Sequence, residues 1–233
     1  PYAEAMSRYG SDKPDTRFGL EICDLSAHLA GTGFKVFAGA LQNGGSIRAI
    51  NAKGAAAALT RKEIDKLTDV VKTYRAGGLA FTRLTQDGES SSYEKFLSEE
   101  EKTAIRNALG AQVGDVLLLV ADASTDTVLT SLGALRVELA NKLGLIPENS
   151  FDLLWVVDFP LFEYDEEEDR YVAKHHPFPS PKLEDMDKLE SDPGACRARA
   201  YDIVLNGTEV GGGSIRISDP ALQQRMFTAL GLD

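Results

Sequence analysis

Residues 200–217, AYDIVLNGTEVGGGSIRI, restrict the fold of this chain more than any other stretch. Asn206-Gly207 is a hairpin signal, because both residue types accept the positive φ of a type I′ turn. The short runs before and after it then become antiparallel strands. Taken as a two-residue turn, it pairs Leu205 with Thr208, Val204 with Glu209 and Asp202 with Gly211. Cross-strand partners share a face, and so do strand residues two apart. Asp202 and Glu209 therefore project from one side as diagonal neighbours. Carboxylates that close repel, unless a divalent cation or a shared proton compensates. Gly211, Gly212 and Gly213 pack nothing, and indicate a bulge or a place where a ligand touches backbone. Arg216 is an odd number of positions from Glu209, so a regular strand puts it on the opposite face. One bulge within the glycines returns it to the carboxylate side. An Asn-Gly hairpin alone is only a hairpin, and an acidic pair alone is ordinarily solvated. Their combination points to chemistry.

The 233 residues suffice for one large or two small domains, and 43% hydrophobic with 26% charged residues is ordinary for a globular protein. No apolar run is long enough to span a membrane, and no signal segment opens the chain. Cys23 and Cys196 lie far apart and in no metal spacing, which reads as reduced thiols in a cytoplasmic protein. A net charge of −11 argues against gripping nucleic acid by phosphate neutralisation alone. The acidic excess is local, at residues 163–169 (EYDEEED) and 184–187; between residues 33 and 146 acids and bases nearly balance. The chain opens inside a helix without an initiator Met and ends without a closing element, as a piece of something longer would.

The sequence predicts a short helix over residues 1–9, then a polar loop at 10–17 (GSDKPDTR). A strand follows near 18–22, and Asp24 caps a helical turn through Leu29. Residues 34–38 (FKVFA) and 46–51 (SIRAIN) alternate as half-buried strands. Thr60-x-x-Glu63 reads as a capping box opening an amphipathic helix with Ile64, Leu67, Val70, Val71 and Tyr74 on its apolar face, stopped by Gly77-Gly78. A strand at 79–84, a polar turn at 86–92 and a second capping box, Ser98-x-x-Glu101, follow; that helix ends near Gly110. Residues 116–121 (VLLLVA) form a strand buried on both faces, and 124–143 a long helix. This block has its own strands and helices, no His and no Cys, so it reads as a structural or docking insert.

After Pro147 the character changes. Residues 151–162 (FDLLWVVDFPLF) read as a buried strand carrying the only Trp, Trp155. The acidic run is a turn, 170–174 a returning strand, 183–189 a short helix and 220–230 a closing helix. His175 and His176 are adjacent, so on an extended segment only one faces a given site. With no Cys nearby and no third ligand at the usual spacing, they read as ligand-contacting imidazoles rather than a zinc site. The Asp202–Glu209 pair is a poor stand-alone metal hydrolase site, lacking a third ligand and an activated nucleophile.

YGSDKPDTR, an inserted domain, WVVDFPLFE, HHPF, AYDIVLNGTEVGGGSIRI and QQRMF together resemble bacterial-type aspartyl-tRNA synthetase over essentially the whole chain. The resemblance implies an α+β fold. Residues 33–146 would be the family's insertion (GAD) domain, a mixed or antiparallel sheet with packed helices. Residues 1–32 and 147–233 would be parts of the class II catalytic domain, an antiparallel sheet with helices. It implies activation of L-aspartate by ATP and transfer to tRNA, by a homodimer with no membrane association. Arg216 would then hold the side-chain carboxylate of aspartate, since a guanidinium fork matches a carboxylate and rejects the amide of asparagine. His175 and His176 would lie at the aspartate site. Asp202 and Glu209 would sit near ATP and its Mg²⁺, and Gly211, Gly212 and Gly213 would let backbone approach the substrates. No residue here carries over as a catalytic group. The family's anticodon-binding barrel and its three class II motifs, with their ATP-binding arginines, are not in the sequence, so the piece alone is expected to be inactive. The competing reading is a non-catalytic module that contacts tRNA or acts as a scaffold through the insert.

Overall fold

The computed structural model describes residues 1–232. It is α+β, and all its sheets are antiparallel. Two compact units are present: Met6–Ser150, and Pro1–Ala5 together with the chain from Phe151 onward. Among the described residues no helix is long and apolar enough to cross a membrane.

The larger unit holds the second half of α1 (Tyr2–Tyr9), then β1 (Cys23–Asp24), α2 (Lys35–Gln42), β2 (Ser46–Ala52), α3 (Arg61–Thr73), β3 (Ala80–Thr85), β4 (Gly88–Ser91), α4 (Glu99–Leu109), β5 (Val116–Asp122) and α5 (Thr125–Lys142). The sheet order is β1-β2-β5-β3-β4. β5 is central because its apolar run can be covered on both sides. Val116, Leu118 and Val120 face a core completed by Ile64, Leu67 and Val71 of α3 and Leu132, Leu135 and Leu139 of α5. Leu117 and Leu119 face the opposite core, with Phe37 of α2 and Ile105 and Leu109 of α4. The result is helices on both faces of an antiparallel sheet.

Several expectations give way here. Residues 34–38 lie not in a strand but at the start of α2: Phe37 and Ala40 are buried, three apart, while Val36 is 58% exposed. A strand would have buried Phe34, Val36 and Ala38 together. The capping box at α3 is only half formed. Thr60 Oγ1 accepts from Glu63 N–H at 3.4 Å, but the Glu63 carboxylate turns to Lys142 at the end of α5 and to Lys66. Those two ammonium groups, Lys142 foremost, hold the Glu63 carboxyl at about 2. Ser98 and Glu101 make the full reciprocal box on α4. α3 ends at Thr73, before the Gly pair, because Arg75 adopts a left-handed φ of 69°. Val70 is half-buried and Tyr74 exposed, so the apolar face of α3 is narrower than its sequence pattern. Part of the polar stretch 86–92 forms the edge strand β4.

Arg136 of α5 is 1% exposed, between the rings of Tyr9 and Phe18, with its guanidinium carbon 4.8 and 4.2 Å from their centroids. It donates to the Phe18 carbonyl at 2.8 Å. Burial lowers its pKa to about 10, which leaves it charged at neutral pH. Nearby, Gly133 of α5 meets Gly10 backbone to backbone. A Cβ on Gly133 would stand 2.8 Å from the Gly10 carbonyl carbon and 3.0 Å from the Tyr9 oxygen. Gly133→Ala is therefore expected to destabilise, by about 1–3 kcal/mol, although Ala is the better helix former. Gly39→Ala in α2, with nothing within 4 Å, is expected to be neutral or stabilising. Thermal or urea unfolding of the two variants checks the contrast.

The second unit carries β6 (Leu153–Val157), β7 (Phe162–Asp165), β8 (Arg170–Ala173), β9 (Ala200–Leu205), β10 (Thr208–Ser214) and α6 (Pro220–Ala229). The sheet order is β10-β9-β6, beside the β7-β8 hairpin. Residues 151–162 are not one buried strand. β6 stops at Val157, Asp158 turns the chain at φ 60°, and Phe159 and Leu161 are buried in the connection. β6 is buried on one face only, through Val156, whereas Leu153 and Trp155 are 60% and 58% exposed. Val156 and Val204 pack with Phe159, Phe162, Met226 and Leu230.

Candidate active-site cleft

The hairpin that dominates the sequence forms as a two-residue turn, with Asn206 at φ 51° and Gly207 at φ 79°. The turn is tied to the start of β6: Asn206 N–H donates to the Asp152 carbonyl at 3.1 Å, and Asp152 N–H to Asn206 Oδ1 at 2.9 Å. Leu205 pairs with Thr208 and Val204 with Glu209. The register then shifts, leaving Val210 as the extra residue, so that Ile203 opposes Gly211 and Asp202 opposes Gly212. The bulge thus falls one residue before the glycines, and the Asp202–Gly211 pairing expected from a regular ladder is corrected to Asp202–Gly212. Val210 is 55% exposed and costs no core contact by stepping out of the ladder.

The shift sets the faces beyond it. Gly212 lies opposite Asp202, and Ser214 and Arg216 follow at two-residue steps, on the Asp202 side. Past Ser214 the chain is held on both sides. Ile215 N–H donates to the Arg199 carbonyl at 2.9 Å, Ser180 N–H to the Ile215 carbonyl at 2.7 Å, and Ile217 N–H to the Phe178 carbonyl at 2.9 Å. This places Arg216 against the His175–Pro179 segment. The outcome is an open cleft of about 250 Å³ lined by His175, His176, Asp202, Glu209, Gly212, Gly213, Ser214 and Arg216.

Seven of these were expected from the sequence, and Ser214 was not. Its hydroxyl is buried and has no partner among the described residues, and nothing in the residue pattern distinguishes it from a strand-end serine. Gly211 does not line the cleft. It pairs with Ile203 on the other face, and a Cβ there would meet Ile203 Cγ2 at an ordinary 3.6 Å. Gly212 is different: a Cβ would fall on the Asp202 carboxylate. Both histidines reach the cleft, against the expectation that only one would. β8 ends at Ala173, so the pair sits on a turning segment rather than an extended strand.

Arg216 is solvent-exposed and forms no ion pair among the described residues. Its Nη1 lies 2.7 Å from His176 Nε2, and Phe178 N–H donates to His176 Nδ1 at 3.2 Å. Burial, then the Arg216 charge, then His175 lower the His176 pKa below its ordinary value. The unfolded chain therefore binds this proton more tightly than the folded one. Acidification through the usual histidine range weakens the fold at this residue, and the effect is absent above it. In an NMR titration the His176 midpoint is expected below 6.5, and Arg216→Ala is expected to raise it; an unchanged midpoint in the variant would contradict the contact. His175 stands edge-on to Phe159 at 5.2 Å between ring centroids.

The cleft thus sets two carboxylates, two imidazoles, a hydroxyl and a guanidinium around exposed glycine backbone. No group of three or more His, Cys, Asp or Glu side chains able to hold a metal occurs among the described residues. Asp202 and Glu209 do supply the hard oxygens that suit Mg²⁺, which commonly takes one or two carboxylates and completes its shell with water and phosphate oxygens.

Behind the cleft, Asp185 is a residue the sequence hid in an acidic run. Its side chain is 1% exposed. It accepts from Arg197 Nε at 2.7 Å, Arg197 N–H at 3.1 Å and Lys188 Nζ at 2.7 Å. These contacts, the Arg197 fork foremost, hold its carboxyl far below the usual range.

Residues 37–132 match the GAD domain family. The chain is 56% identical over 230 residues to an aspartate–tRNA(Asp/Asn) ligase of Bacillus cytotoxicus, covering 99% of this chain and 39% of the relative. It is 55% identical over 232 residues to an aspartate–tRNA ligase of Ruminiclostridium cellulolyticum, with the same coverage. An aspartate–tRNA(Asp/Asn) ligase of Bacillus anthracis matches at 54% over 230 residues. The chain spans 39% of the length of these relatives. Residues 37–132 thus resemble a GAD domain, and over nearly its whole length the chain is similar to part of the aspartate–tRNA ligases.

Proposed function

We propose that this chain is part of a cytoplasmic, homodimeric aspartate–tRNA ligase and supplies the aspartate side of its active site. The observation that carries the reading is the convergence of His175, His176, Asp202, Glu209 and Arg216 on one cleft, brought about by a single bulge. In this reading residues 33–146 are the insertion domain, and residues 1–32 and 147–233 belong to the catalytic domain.

Arg216 reads the side-chain carboxylate of L-aspartate. Its guanidinium offers two parallel N–H donors that a carboxylate accepts and an amide NH₂ does not. His176 lies beside the guanidinium, and His175 closes the same end of the cleft. Ser214 supplies a hydroxyl, while Gly212 and Gly213 let the substrate lie against backbone. Asp202 and Glu209 would hold the Mg²⁺ that accompanies ATP, which neutralises phosphate charge when bound. Substrate orientation and charge placement are the contributions these residues make.

The names of the relatives differ in tRNA range, one group naming tRNA(Asp/Asn). The aspartate cleft is common to both possibilities. The experiment is aspartate-dependent exchange of pyrophosphate into ATP. The complete ligase carrying this chain is expected to support it with L-aspartate and not with L-asparagine. The 233-residue chain alone is expected to give none, because it spans only 39% of the length of the relatives it matches. Exchange by the chain alone at the rate of the complete ligase would overturn this account of the site.

A further inference from the structure

Two of the β10 glycines are each covered by a residue of β9, and the two covering residues are consecutive. Gly212 lies opposite Asp202, whose carboxylate occupies the place of a side chain on the cleft face. Gly213 lies opposite Tyr201 on the other face, and there the tyrosine ring takes that place. A Cβ on Gly213 would stand 2.9 Å from the phenolic oxygen, 3.0 Å from Cε2 and 3.1 Å from Cζ. The outer end of the ring therefore lies across the glycine Cα. Gly213 has its backbone in the cleft wall on one side and this ring on the other.

The ring is itself braced. Trp155 of β6 meets it edge-on, with ring centroids 5.8 Å apart and planes at 74°. Trp155 pairs with Ile203 and Val157 with Tyr201, so Trp155 and Tyr201 are diagonal neighbours on one face. Neither ring is buried in a core: Trp155 is 58% and Tyr201 37% exposed. What Tyr201 supports is the strand beside it. β10 is an edge strand of its sheet, and three glycines in a row lose the most conformational freedom on folding and offer no side chain to steady the ladder. An aromatic ring laid across a glycine of an edge strand supplies that support.

Building on the aspartate reading of the cleft, on which this rests, we propose that Tyr201 is a positioning residue for the substrate. From the face away from the cleft, its ring backs the Gly212–Ser214 backbone. The substrate lies against that backbone, and the chain runs on from it to Arg216. Asp202 and Tyr201 thus clamp adjacent glycines from opposite faces. A side chain at position 212 would displace the carboxylate, and one at position 213 would displace the ring. Tyr201 touches no reacting atom and acts only through the strand it supports.

The test pairs two readouts. In the 233-residue chain, backbone amide order parameters from NMR relaxation are measured at Gly212, Gly213 and Ser214. Tyr201→Ala is expected to lower them from the rigid range of about 0.85 toward the flexible range below about 0.6. Tyr201→Phe keeps the ring, and Leu153→Ala removes a different exposed residue from the same face; both are expected to leave them unchanged. In the complete ligase, Tyr201→Ala is expected to raise KM for L-aspartate in pyrophosphate exchange about tenfold, with Tyr201→Phe close to wild type. Loss of folded enzyme alone would lower the apparent kcat and leave KM where it was. The proposal is overturned by unchanged order parameters in Tyr201→Ala, by an unchanged KM, or by Phe doing as much damage as Ala. Failure of the aspartate reading looks different. Arg216→Ala would then retain exchange, while the loss of order at the glycines in Tyr201→Ala would stand.

Discussion

Replacing Arg216 by Ala in the complete ligase is expected to lower kcat/KM for aspartate-dependent ATP–pyrophosphate exchange by about two to three orders of magnitude. The guanidinium makes no ion pair within the described chain and is poised at the end of the cleft. Truncating one member of a hydrogen-bonded charge pair formed with a substrate costs on the order of 2–5 kcal/mol, which sets the size of the effect. Lysine keeps the charge but loses the fork, so Arg216→Lys is expected to recover only part of the activity. Discrimination against L-asparagine should fall in the Ala variant by nearly the same factor as activity, because both rest on the same contact. A variant that loses activity but keeps its preference for aspartate would assign selectivity to another residue.

Asp185→Ala is expected to lower stability by about 1–3 kcal/mol, the cost of leaving hydrogen-bond donors without their acceptor. The substitution removes the shared acceptor of Arg197 and Lys188, which converge on a carboxylate 1% exposed. It also frees the segment that frames the cleft: Lys182 N–H bonds the Arg197 carbonyl and Arg199 N–H the Ser180 carbonyl. The pH dependence follows from the direction of the shift. The folded-state pKa is depressed, so this contribution is full above the usual carboxylate range and is lost as pH falls through the folded value. Urea unfolding at neutral and acid pH checks it. The gap between wild type and Asp185→Ala should narrow on acidification, and a gap independent of pH would contradict the assignment.

How far these features could be read from the residues depends on where the information is held. The turn at Asn206-Gly207 was legible because two backbone φ values decide it locally. The convergence of Arg216 on Asp202 was legible as a parity argument, but the bulge position was not. Glycines tolerate a bulge, yet Val210, an exposed residue with little to lose, is the one that steps out. β5, the capping box of α4 and the span of α5 were plain from local pattern. Residues 34–38 misled because five residues with an apolar third neighbour fit either a strand or a helical turn. Trp155 misled because an apolar run says nothing of whether both its faces are covered. Asp185 could not be found in advance: its partners lie 3 and 12 positions away, and an acidic run reads as solvated until the loop is folded.

The most direct test is the structure of the complete ligase with L-aspartate bound. The β-carboxylate is predicted to meet two Arg216 nitrogens at about 2.7–2.9 Å, with His175, His176 and Gly212 around it. A substrate carboxylate bound by another cation, with Arg216 turned away from it, would contradict the account.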